Sequence, residues 1–124
     1  MTEDDLKKLL VEKIRQAGID FRAVEHLDAI AVINPIKKCG AYDVNEATPF
    51  NLAHEFFHAK LKHRKRRYDY DVSNAQEHEA NVAAVNYLWR LFIMFGGTVE
   101  YANVFIKTSG APMYLLERML KAVY

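Results

Sequence analysis

Three side chains in the segment NLAHEFFHAKLKHR, residues 51–64, have the types and spacing to hold a metal ion and to work beside it. His54 and His58 are four positions apart. On a helix of 3.6 residues per turn, that spacing sets both imidazoles on one face, within reach of one ion. Glu55 is turned about 100° from His54, outside the two-histidine grip and free to address a water. This is the HExxH arrangement of hydrolytic zinc, in which two imidazoles bind and the glutamate acts as general base. Chance yields the pattern in about one of a few hundred chains of this length, so a third ligand must accompany it.

Several residues compete for that place. A metzincin would need glycine at 61 and histidine at 64, but the chain has Leu61 and Arg64, and His63 is out of register. Cys39, in KKCGAY, is an upstream alternative that lacks a glutamate-glycine-cysteine signature, and its plainer reading is an incidental thiol. The segment QEHEANVAA offers Glu77 and Glu79. Two histidines and one glutamate leave a fourth position open for water, as hydrolytic zinc requires. Counting helical turns, Glu77 falls within an apolar stripe of Ala80, Ala84, Tyr87, Leu88, Leu91 and Phe95, while Glu79 lies at its edge beside Ala83. Burial therefore nominates Glu77, and pattern alone leaves both in place.

The elements that position these residues are legible in outline. Thr48-Pro49 is a helix start, a hydroxyl cap followed by a ring at the first helical position, so HEFFH sits on a helix that ends in the basic run KHRKRR. Phe50, Ala53, Phe56, Phe57 and Leu61 are its candidate anchors in the core. Tyr68 to Val72 reads as a connection. Ser73 with Gln76 has the form of a capping box and opens a helix running to Gly96-Gly97. Upstream, Leu6, Leu9, Leu10, Ile14 and Ala17 predict a helix over 3–17. Residues 19–34 read as a hairpin that turns at His26-Leu27-Asp28 and ends at Pro35, and a further short strand is placed at 41–44. Residues 98–107 and 112–123 are two more helices. The fold class is α+β in one domain, residues 1–124: mostly helical, with a short N-terminal antiparallel β-hairpin or three-stranded sheet.

Composition excludes some functions. Seventeen basic and sixteen acidic residues give a net charge of +1, so no global field favours nucleic acid or an anionic membrane, and no direct nucleic-acid binding is expected. The N-terminus is acidic and amphipathic, and the run near YLWRLFIMF is interrupted by Arg90, so neither a leader nor a membrane span is expected. One cysteine suits a reducing, cytoplasmic compartment. The run Lys60, Lys62, His63, Arg64, Lys65, Arg66, Arg67 reads first as a solvated loop and second as a docking patch for an acidic partner. Phe92, Ile93, Met94, Phe95 and Tyr114 read first as core and second as residues that a short chain exposes in part to a protein partner.

Taken together, LAHEFFHAKL and, some twenty residues on, EHEANVAAVNYL resemble the ImmA/IrrE family of metallopeptidases, whose pattern is HExxH on a helix and then an acid-x-Glu-Ala-Asn segment. The similarity extends over residues 1–90, and only the two motifs are specific. It implies a zincin-like domain with zinc ligands His54, His58 and Glu79 and with Glu55 as general base; Mn²⁺ or another divalent metal is the alternative to zinc. It also implies an endopeptidase of the bacterial cell interior that cleaves or inactivates a bacterial or phage helix-turn-helix repressor. Tyr87, Tyr68, His63 and His78 are candidate donors to an oxyanion. The competing expectations are a non-catalytic module that binds a repressor or toxin-type partner, and a structural helical domain whose histidines are core residues.

Overall fold

A computed structural model describes residues 2–61 and 70–123, with side chains over 2–61 and 75–122. Helix α1 (Glu3–Gln16) opens on a capping box in which the Thr2 hydroxyl accepts from Asp5 N–H, and it buries Leu6, Leu10, Val11 and Ile14. Strands β1 (Asp20–Val24), β2 (Ala31–Asn34) and β3 (Cys39–Asp43) follow and form a three-stranded mixed sheet. The fold class is α+β, as expected.

The pairing differs from the expected hairpin. β3 lies between the other two, parallel to β1 and antiparallel to β2, so β1 and β2 are not neighbours. The hairpin is β2–β3, and its turn is built at Asn34-Pro35, where Asn34 Oδ1 accepts from the N–H groups of Ile36 and Lys37. Alternation of apolar residues identifies strands but not their partners, and β3 wins the central place because both its edges are hydrogen-bonded.

Helix α2 (Pro49–Lys60) starts at the expected Thr48 cap. Thr48 accepts from Asn51 N–H while the Asn51 side chain accepts from Thr48 N–H, and proline occupies the first turn. Helix α3 (Tyr70–Met94) is already helical at Tyr70, so Ser73 lies inside it and not at its cap. No glycine or proline occurs between Tyr70 and Met94 to interrupt it. α3 ends as expected at Gly96-Gly97, in a Schellman turn: Gly96 has φ +94°, Gly96 N–H bonds Ile93 O, and Gly97 N–H bonds Phe92 O. A 3₁₀ turn (Val99–Tyr101), α4 (Ala102–Ser109) and α5 (Met113–Val123) complete the fold.

α2 is central, packing against α1, α3, α4 and β2. Its Leu52 and Ala53 are fully buried in a core that includes Leu10, Ile14, Phe21, Leu88, Phe105 and Leu116. Two contacts fix where it begins. The buried Asp43 carboxylate accepts from the N–H groups of Asn45 and Glu46, and these bonds hold its pKa below the usual carboxylate range. Gly110, which caps α4 at φ +74°, lies so close to α2 that a Cβ there would stand 2.7 Å from Thr48 Cβ. Among the described residues no single helix is long and apolar enough to cross a membrane. One expectation about the core fails: Phe92 packs against it, but Ile93, Met94, Phe95 and Tyr114 are exposed. The helix that carries the first three turns away from the core at the Gly96 terminus, and periodicity does not register where that happens.

Gly110→Ala combines left-handed strain with a collision on the α2 cap and is expected to cost about 1–3 kcal/mol in urea unfolding. Because the Asp43 pKa is lowered on folding, its contribution is complete above the ordinary carboxylate pKa of about 3.9 and is lost as pH falls through the folded value. Asp43→Ala is therefore expected to be less stable than wild type at pH 7, with the gap closing in acid; a pH series of thermal melts measures this.

Candidate metal centre

The two imidazoles leave α2 on one face, as the four-residue spacing requires, with ring centroids 4.4 Å apart and planes nearly perpendicular. Their Nε2 atoms are 3.0 Å apart. The carboxylate of Glu77, from α3, closes the triangle: Oε2 is 3.0 Å from His54 Nε2, and Oε1 is 2.9 Å from His58 Nε2. Donor atoms of the three residues lie within 4.8 Å of one another. The imidazoles are largely buried, at 16% and 19% side-chain exposure, whereas Glu77 is 55% exposed, so the cluster opens toward solvent on the carboxylate side.

The donor set suits a divalent ion. Tetrahedral zinc with bonds of about 2.0–2.1 Å has ligand atoms about 3.3 Å apart, close to the edges of this triangle. Two imidazole nitrogens that face one carboxylate at 3 Å form a compact set of nitrogen and oxygen donors of the kind a divalent ion takes. The three groups, set between two packed helices, could hold a metal ion. His54 Nδ1 is buried and has no hydrogen-bond partner among the described residues.

The carboxylate that meets the imidazoles is thus the one nominated by the apolar stripe. Glu79, which the resemblance implies, is not one of the three. It is exposed, and two residues on a helix are about 200° of rotation, so the chain can aim only one of the two glutamates at α2. Glu77 shares its face with Ala80 and Ala84, both fully buried, which lets the helices approach closely. Glu55 is partly buried on α2, rotated off the histidine face. Cys39 is exposed at the start of β3 and outside the group.

Around the centre, Phe50 tilts against the His54 ring at 6.0 Å, and the exposed Lys60 stands 5.8 and 5.9 Å over the Phe56 and Phe57 rings. Sequence reading marked Lys60 only as part of a charge run; its place one turn after Phe56 and near Phe57 is the signal for the contact. Among the candidate oxyanion donors, His78 is exposed, and Tyr68 and His63 lie outside the described residues, as do Lys62, Arg64, Lys65, Arg66 and Arg67. Tyr87 is about 15 Å along α3 from Glu77 and packs edge-on against Phe57, and burial raises its pKa, keeping the hydroxyl neutral. That position serves packing. Compared with known proteins, the chain matches no family model, no curated protein and no solved structure.

Wild type is expected to bind one zinc per chain, and zinc at a hundred times Kd should stabilise it by about 2.7 kcal/mol. His54→Ala and His58→Ala should abolish this, and Glu77→Gln should weaken zinc binding at least about tenfold. Glu79→Gln should leave it intact. Competition titration with a chromogenic chelator reads all four, and loss of zinc in the Glu79 variant alone would reverse the assignment.

Proposed function

We propose that the chain is a zinc-dependent endopeptidase acting on a protein substrate. The observation that carries this reading is the meeting of His54, His58 and Glu77 from two helices in a cluster whose carboxylate is half-exposed. The HExxH spacing supplies Glu55 next to it. Bound zinc supplies Lewis acidity, which acidifies water and polarises a carbonyl oxygen. His54 and His58, buried on α2, orient that chemistry, and Glu77 completes the donor set from α3. Glu55 accepts the proton of the attacking water and returns it to the departing amide nitrogen.

The substrate class comes from the resemblance to ImmA/IrrE metallopeptidases: a helix-turn-helix repressor of bacterial or phage origin, met inside the cell. With a net charge of +1, the chain has no global field that would draw it to DNA on its own. The reading keeps the family's two histidines and general base and takes Glu77 as third ligand in place of Glu79.

Glu55→Gln separates chemistry from binding. The variant is expected to keep its zinc and to lose at least about 100-fold in cleavage of a candidate repressor, followed by gel electrophoresis and mass spectrometry of fragments. Equal silencing of the repressor by wild type and variant, with no fragments from either, would sink the protease reading and leave a metal-stapled binding module.

A further inference from the structure

α3 runs about 26 Å beyond Glu77 before it ends at Met94, and a second feature occupies that far end. The Schellman turn and the segment after it leave Met94 72%, Phe95 53%, Val99 45%, Tyr101 56% and Val104 50% exposed. Phe95, Tyr101 and Val104 line a cavity of about 220 Å³ whose walls also include the buried Leu6, Leu88 and Phe105. Gly97 shapes this end of the chain, because a Cβ there would overlap the Phe92 ring at 2.4 Å.

The extent of the patch points to a protein partner. With a full area of about 150–250 Å² for each large side chain, the five expose on the order of 500 Å². A standard interface takes about 800 Å² from each partner, and homodimer interfaces are about 65% apolar, which again is roughly 500 Å². Self-complementarity selects the partner. An isologous contact requires one surface to carry both halves of every interaction. Here Met94 is a protruding, adaptable knob, and the cavity beside it exceeds the roughly 150 Å³ that accepts a benzene ring. Charge follows the same rule. Exposed Arg90, one turn before Met94, and exposed Lys107, three residues after Val104, are cationic, while exposed Glu100 between Val99 and Tyr101 is anionic. Charges of both signs beside one patch allow a twofold pairing to match Glu100 of one copy with a cation of the other.

We propose that the chain pairs with a second copy of itself through the α3–α4 end, each Met94 entering the other copy's cavity. The interface lies at the opposite end of α3 from the metal centre and does not depend on the reading of that centre.

Analytical ultracentrifugation and light scattering test this on the full chain at micromolar concentration. Wild type is expected at twice its 14.3 kDa mass. Met94→Glu and Val104→Glu, both at exposed positions, should sediment as monomers with wild-type circular dichroism. Ile36→Glu, 91% exposed on the β2–β3 turn, should remain dimeric and controls for general loss of stickiness. A monomeric wild type overturns the proposal, as does a dimer that survives both patch substitutions. A monomer that instead floats with phosphatidylglycerol vesicles assigns the patch to a membrane surface: α3 from Ala75 and the segment Val99–Ser109 have the length and apolarity for a bent span, with a 120° bend between them.

Discussion

The contact between α2 and α3 is the constraint on which the rest of the molecule depends. Two imidazoles and a carboxylate can meet between packed helices only if both helices hold their rotation and separation to within a fraction of an ångström. α2 is locked at its start by the Thr48–Asn51 box, by Gly110 pressed against Thr48, and by Leu52 and Ala53 in the core. α3 is locked by Ala80, Ala84 and Leu88, all fully buried on the face that continues from Glu77. A polar cluster at this seam has to be paired, and the imidazoles meet the carboxylate at 2.9–3.0 Å, because buried polar groups lose their hydration.

The same seam divides labour between the two helices. α2 brings both imidazoles and Glu55 from five consecutive residues, so their mutual geometry is a property of helical spacing alone. α3 brings a single oxygen donor from its more exposed end. Any affinity of the cluster for a cation is thereby tied to the docking of α3.

α3 is also the link between the two features of the surface. Near one end it carries a polar, half-open cluster, and at the other it stops in a glycine turn that turns Met94 and Phe95 outward. A single rigid helix that spans the fold can place chemistry and association on separate faces, so that pairing through one leaves the other accessible.

By itself the sequence determined what depends on near neighbours along the chain. The Thr48-Pro49 start, the Gly96-Gly97 stop, the histidines on one face and the mixed class of the fold are consequences of capping and periodicity, which act over a few residues. Tertiary structure alone decided the rest. β3 took the place between β1 and β2 because hydrogen bonds from distant segments compete for its edges. α3 continued back past Ser73 because a local cap is worth only about 1 kcal/mol against a continuous helix. Met94 and Phe95 faced outward because the core ended before the apolar pattern did. The choice between Glu77 and Glu79 belongs to both: turn counting favoured the first and the resemblance the second. Only the rotation of α3 against α2, set by the summed packing of both helices, brought the Glu77 carboxylate to the imidazoles.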